Sequence, residues 1–312
     1  MKKPLIILTG PTAVGKTELS IRLAKELNGE IISADSMQVY KGMDIGTAKI
    51  SPEEMCGVTH YLIDILDPKE DFNVVKFKEA ACAAMEAIYQ KGKLPIIVGG
   101  TGFYIQAVLN DINFEETPND TTYRNELEEL ATNKGPEYLH AMLMDVDEGS
   151  AKAIHANNVK KVIRALEYYK QTGKKISEHN ETERQKESPY NFLYFVLNHT
   201  RDVLYKRIDQ RVDLMVEQGL IEEVRALYES GYDRNLVSMQ GLGYKEIISY
   251  LEGECTLDEA VYILKRDTRH FAKRQLTWFK REKEVIWINK NEYNEEENIL
   301  TMMLKMAHAK LG

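Results

Sequence analysis

The sequence predicts an α/β protein: a parallel sheet covered by helices on both faces, interrupted by an all-helical inserted domain. Three observations predict it. Apolar runs alternate with amphipathic stretches through the N-terminal third, the signature of βαβ units. The pattern then turns helical, with no good strand. Strand character returns late, at "PYNFLYFVLNH".

The elements follow in order. "PLIILTG" is a β-rich run ending in glycine, and "KTELSIRLAKEL" places Leu19, Leu23 and Leu27 at helical spacing. "GEIISADS" reads as a second strand ending at Asp35, and "HYLIDIL" as a third. "VVKFKEAACAAMEAIYQKGK" is an amphipathic helix, and "LPIIVGGTG" an apolar strand running into a Gly-rich turn. Residues 114–188 read as short helices and loops. After the strand at "PYNFLYFVLNH" comes the helix "RDVLYKRIDQRVDLMVEQG", ended by Gly219. The expected organisation is a core of residues 1–113 and 189–312, with C-terminal helices, around a helical insertion at 114–188. The last twenty residues read as acidic and helical. Parallel sheets bind ligands at the carboxyl ends of their strands, so the residues after Thr9, Asp35 and Gly99–Thr101 are expected to share a cleft.

Composition bounds the function. With 312 residues, 43% of them hydrophobic, the chain has ample material for a core. No stretch approaches the ~18–20 apolar residues of a membrane span, and the apolar run after Lys2 and Lys3 is too short for a signal peptide. Cys56, Cys82 and Cys255 lie far apart with no CxxC pair, which argues against zinc or disulfides and fits a reducing cytoplasm. Nothing demands an obligate protein partner, so a monomer is expected. A net charge of −8 counts against nucleic acid when taken alone. Yet residues 265–283 hold eight Lys/Arg against two acids, and residues 152–175 seven against one. Two basic islands on an acidic chain suit a confined polyanion footprint; the alternative is solvated helix faces.

"GPTAVGKT" comprises Gly10, Pro11, Thr12, Ala13, Val14, Gly15, Lys16 and Thr17, and matches the Walker A pattern between a strand and a helix. This makes the core P-loop NTPase-like. Its glycines let backbone N–H groups wrap phosphate oxygens, Lys16 adds a cation, and Thr17 offers a hydroxyl to Mg2+. Asp35 reads either as a turn residue or as a carboxylate facing the phosphates, able to ligate Mg2+ through water or to act as a base. Ser36 and Gln38 carry groups suited to reading a heterocycle edge. "GGTGFY" permits close backbone approach, with Thr101 as a donor, or is merely a tight turn. The most apolar strand ends in Gly-Gly-Thr instead of a Walker B aspartate, and no NKxD motif occurs. Motor and switch functions therefore lack support, leaving a small-molecule transferase or a kinase-like core. Arg207 and Arg211, at i and i+4, suit a diphosphate clamp or local pairing with Asp209 and Asp213. "FAKRQLTWFKR" interleaves cations with Phe271, Trp278 and Phe279: a surface for unpaired bases, or an amphipathic helix with its aromatics in the core.

Together these stretches resemble the bacterial tRNA dimethylallyltransferase (tRNA isopentenyltransferase) family. The resemblance rests on "GPTAVGKT", "ISADSMQVYKGMDIGTAK", "HYLIDI", "VGGTGFY", "VIRALE", the helix around "LYKRIDQRVDLM", "GLGYKE" and "AKRQLTWF". It implies transfer of a dimethylallyl group from dimethylallyl diphosphate to N6 of the adenosine immediately 3′ of the anticodon, with Mg2+ assisting. It also implies a P-loop core with a helical insertion and the tRNA anticodon stem-loop gripped by both. Asp35 is implied as general base, with Thr101 beside the reacting centre and Arg211 binding substrate. Lys16, Thr17 and the loop backbone are implied to hold diphosphate and metal. The tRNA contacts implied are Asp35, Ser36, Met37, Gln38, Thr101, Arg124, Lys160, Lys161, Arg164, Gln240, Lys245, Lys273, Arg274, Gln275 and Trp278. The family often has Gln-Arg where this chain has Lys160-Lys161, which removes any base reading by a glutamine there. Two other functions remain open: a nucleoside or nucleotide kinase, and a non-catalytic RNA-binding P-loop protein.

Overall fold

A computed structural model describes residues 2–114 and 122–311 of the chain. It divides into two compact units, Met1–Leu109 with Pro189–Gly312, and Asn110–Ser188.

The first unit is built on one sheet of six strands, all parallel: β1 (Lys3–Thr9), β2 (Gly29–Ala34), β3 (His60–Tyr61), β4 (Leu94–Gly99), β5 (Tyr190–Asn198) and β6 (Val285–Asn289), in the order β3-β2-β4-β1-β5-β6. Side-chain alternation divides the apolar residues between two cores. Leu5 and Ile7 of β1, Ile97 of β4, and Phe192, Tyr194 and Val196 of β5 lie in one; Ile6, Leu8, Ile96, Leu193, Phe195 and Leu197 lie in the other. Both faces are dry, which is why these strands read as continuous apolar runs.

Helices supply the two covers. α1 (Lys16–Glu26), α13 (Glu296–Leu311) and part of α9 (Arg201–Glu217) contribute to the second core. The first is filled by α2 (Val74–Gln90), α3 (Gly102–Leu109), α10 (Leu220–Glu229), α11 (Tyr244–Leu251) and residues of α12 (Leu257–Phe279). Start signals are explicit: Asn73 accepts from the Val75 and Lys76 N–H groups to begin α2, and Thr256 with Glu259 forms a capping box for α12.

The second unit contains α4 (Thr122–Lys134), α5 (Pro136–Val146), α6 (Glu148–Ala153), α7 (Val159–Thr172) and α8 (Ile176–Gln185). Its own core includes Leu127, Leu139, Leu143, Val162 and Leu166. Among the described residues, no helix of either unit is long and apolar enough to cross a membrane.

Two strand expectations need correcting. "HYLIDIL" joins the sheet only at His60 and Tyr61, because Leu62 and Asp64 take positive φ (64° and 54°) and turn the chain out of the ladder; Leu66 then forms an isolated bridge with Tyr40. β6, unread in the sequence, adds a strand to the far edge by pairing with β5.

Candidate active site

Strand register assembles the site. Thr9 pairs with Gly99, and Ala34 pairs with Gly99 on its other side. The residues that follow, the loop from Gly10, Asp35, and Gly100–Thr101, therefore leave the sheet side by side. The Thr101 N–H donates to the Ala34 carbonyl at 3.2 Å, next to Asp35. Gly15 sits at φ +87°, a left-handed conformation that hands the loop over to α1.

Lys16 folds over its own loop, its Nζ donating to the carbonyls of Gly10 (3.0 Å) and Pro11 (2.9 Å). Burial, reinforced by the positive charge of Arg211 and opposed by Asp35, lowers its pKa to about 7. Asp35 satisfies both readings of its carboxylate. Oδ1 accepts from the Met37 N–H (2.9 Å) and the Gln38 N–H (3.4 Å), closing a turn. Oδ2 accepts no hydrogen bond among the described residues. Burial raises the Asp35 pKa, against the pull of those N–H groups, Lys16 and Arg211. A raised carboxylate held between two cations is suited to accepting a proton. The Thr17 side chain is exposed at the start of α1.

α9 delivers Arg211. Its neighbours Asp209 and Asp213 do not pair with the arginines of their own helix; they turn to α12, to Arg269 Nη1 and Lys265 Nζ, both at 2.5 Å. Arg211 is left half-buried within the field of Lys16 and Asp35, and burial lowers its pKa.

Some residues expected to touch RNA have partners within the protein. Gln275 is only 7% exposed. It accepts from the Thr12 N–H (2.9 Å) and donates to the Gly100 carbonyl (3.0 Å), so it ties α12 to the phosphate loop and the Gly-rich turn. Both ends of its amide are engaged inside the protein. Gln38 accepts from Ser33 Oγ (3.0 Å) and donates to the Thr47 and Ala48 carbonyls (3.3 Å each). Its amide shapes the pocket instead of presenting a free edge. The Gln240 amide donates to the Arg234 carbonyl. Arg124 is bound bidentately to buried Glu167 (3.1 and 2.8 Å) inside the helical unit. The Trp278 indole lies against Gly102, where a Cβ would approach within 2.2 Å, and meets Phe103 edge to face. Phe279 is fully buried.

Other residues expected at RNA are open to it. Lys160, Lys161 and Arg164 are exposed on α7, opposite its buried Val162, Ile163 and Leu166. Lys273 and Arg274 are exposed on α12, with Arg274 over the Phe271 ring. Lys245 lies 3.5 Å from Glu246, and Ser36 and Met37 are half-buried after Asp35.

One residue of this region was unread in the sequence. A Cβ on Gly15 would lie 3.1 Å from Lys290 Nζ and 3.9 Å from Arg207 Nη1. Lys290 follows β6, whose Asn289 pairs with Asn198 of β5, and its side chain is 11% exposed. His199, next after β5, has its pKa lowered by burial and then by Arg207 and Lys290. A strand signal in "VIWIN" would have placed this lysine at the carboxyl end of the sheet.

Comparison with known proteins bears on what this geometry serves. A family model described as IPP transferase matches residues 38–282, and another, described as isopentenyl transferase, matches residues 3–70. The chain belongs to the IPP transferase family. A "tRNA dimethylallyltransferase" from Lachnoclostridium phytofermentans is 66% identical over 99% of this chain and 98% of that protein. The crystal structure of a full-length tRNA isopentenylpyrophosphate transferase from Bacillus halodurans is 47% identical, covers 100% of this chain and 97% of that one, and superposes with a TM-score of 0.75. A eukaryotic dimethylallyltransferase described as acting on tRNA is 28% identical, covers 99% of this chain and 80% of that one, and gives a TM-score of 0.78. As an IPP transferase this chain is a prenyl-transfer enzyme on a P-loop-like α/β fold, and its phosphate loop serves a transferase.

Proposed function

We propose that the protein transfers the dimethylallyl group of dimethylallyl diphosphate to N6 of the adenosine immediately 3′ of the anticodon in tRNA. One observation carries the assignment of roles: Asp35, raised in pKa and with a free carboxylate oxygen, stands within the field of two cations, Lys16 and Arg211. In this reading the allylic C–O bond breaks and its electron pair leaves with diphosphate. The adenine N6–C bond forms, and the N6 proton passes to Asp35 Oδ2. The loop N–H groups, Lys16 and Arg211 neutralise the charge that develops on the leaving group. Thr101 lies beside Asp35, placed to orient the reacting atoms.

The donor set fits Mg2+. Among the described residues there is no cluster of three or more His, Cys, Asp or Glu able to hold a metal. Mg2+ needs none, because it keeps several waters and is bound by one or two protein groups plus substrate phosphates. The Thr17 hydroxyl, together with the substrate phosphates, would hold it, and it would supply charge neutralisation at the diphosphate.

The exposed cations of α7 and α12, with Lys245, supply contacts to the phosphates of the anticodon stem-loop, and residues 114–188 serve as the RNA-binding insertion. We further infer a cytoplasmic enzyme that acts as a monomer. The test is transfer of labelled dimethylallyl to unmodified tRNA by the purified chain. Asp35→Asn should lower kcat by ~10²–10⁴-fold while donor binding persists. Consumption of ATP without alkylated adenosine would instead favour a kinase.

A further inference from the structure

The stretch "DSMQVYKGMDIGTAK" leaves the sheet at Asp35 as a long loop, and its far end is held from outside. Glu223 of α10 accepts three consecutive backbone N–H groups, those of Asp44 (2.9 Å), Ile45 (2.7 Å) and Gly46 (3.1 Å). The Tyr244 hydroxyl donates to the same carboxylate at 2.6 Å. Tyr244 is fully buried, and a Cβ on Gly46 would come within 2.5 Å of its ring. No other residue type permits that approach, so the position of Gly46 is set by Tyr244. One residue later the carbonyls of Thr47 and Ala48 accept from Gln38 Nε2, and Gln38 Oε1 accepts from Ser33 of β2. Met37 is fixed from the same side: a Cβ on Gly241 would lie 2.5 Å from its terminal methyl. Lys49, whose side chain is 4% exposed, ties the loop end to the Tyr40 carbonyl, Asp44 and Asp64.

A continuous chain of bonds thus runs from Glu223 and Tyr244, through residues 44–48, to Gln38 and the segment that begins at Asp35. A carboxylate bonded to three adjacent N–H groups is a charge-assisted anchor, stronger than neutral hydrogen bonds. We propose that Glu223 and Tyr244 are positioning residues for the acceptor base: they hold the Asp35–Ala48 loop, with Gln38 as its internal tie, in the one shape that presents Asp35 and Met37 to the adenine. This rests on the prenyl-transfer function proposed above. It also gives "GLGYKE" a task besides RNA contact by Lys245, since Gly241 and Tyr244 brace the loop from inside the protein.

The test separates acceptor from donor. Glu223→Gln keeps the side-chain volume but turns an amide NH2 toward backbone donors; Tyr244→Phe removes only the hydroxyl and guards against a Glu223 variant that fails to fold. Both should raise KM for tRNA, by about tenfold in Glu223→Gln, since the carboxylate's charge-assisted bonds are removed. Donor affinity should stay within about twofold of wild type. Amides 44–46 should exchange with solvent at least about tenfold faster in Glu223→Gln. Wild-type KM for tRNA in both variants, or a parallel loss of donor and tRNA binding together with a fall in Tm, overturns the positioning role. If the wild-type chain makes no alkylated adenosine, the functional reading itself falls, and this proposal with it.

Discussion

Lys16 carries a pH dependence that can be written down from its surroundings. In the free enzyme its pKa is lowered to about 7 by burial and by Arg211. A bound diphosphate favours the charged ammonium, so donor binding takes up a proton and strengthens the protonated form. Raising pH through 7 therefore removes the form that binds. Donor Kd should rise by up to about tenfold per pH unit above 7 in wild type and lose most of that slope in Lys16→Met, as titration calorimetry across buffers would report. Asp35 acts in the opposite sense: its raised pKa means the base is lost as pH falls, giving kcat/KM for tRNA an acid limb that Asp35→Asn removes. Lys290 belongs with these cations, since its ammonium reaches the loop at Gly15 and is shared with Glu296 at 3.2 Å. Lys290→Met should raise KM for the donor by roughly tenfold and leave KM for tRNA unchanged in steady-state kinetics.

At the scale of elements, α7 and α12 show what was readable and what was not. On α7 the apolar face repeats with helical period, so exposure of Lys160, Lys161 and Arg164 follows directly from spacing. Their replacement by Ala should reduce the slope of log K against log salt for tRNA by roughly one unit for each phosphate no longer neutralised. On α12 the same reasoning fails at Gln275. A polar residue among lysines and arginines reads as solvent-facing, and only the approach of the phosphate loop and Gly100 to this helix shows that both its polar ends are used internally. β1, β2, β4 and β5 were legible because strands buried on both faces leave uninterrupted apolar runs. β6 is a short edge strand with partly exposed residues, a much weaker signal, and the place of Lys290 went unread with it. The brace on the Asp35–Ala48 loop was illegible for a related reason: Glu223 and Gly46 are far apart in sequence, and no local pattern links them.

At the scale of the whole molecule, each unit has an apolar core of its own. Leu143→Ala, in the core of the helical unit, should destabilise that unit by about 2–5 kcal/mol in urea unfolding. If residues 114–188 serve RNA alone, the same variant should weaken tRNA binding and leave donor Kd unchanged. Charge is partitioned as well as structure: the net charge is −8, yet cations concentrate on α7 and α12. A general electrostatic attraction to polyanions is thereby suppressed while a local one is kept.

The register Lys3↔Tyr190 has a consequence for how the chain is made. β1 lies between β4 and β5 in the finished sheet, but β5 emerges from the ribosome only after all of residues 110–188. Until then one edge of β1, a strand buried on both faces in the finished fold, has no partner. Nascent chains should pass through a stage in which the helical unit, whose contacts are local, is already folded while four of the six strands wait with an open edge. Completion of the catalytic cleft is then a late event in synthesis, because Arg211, Gln275 and Lys290 all lie beyond β5.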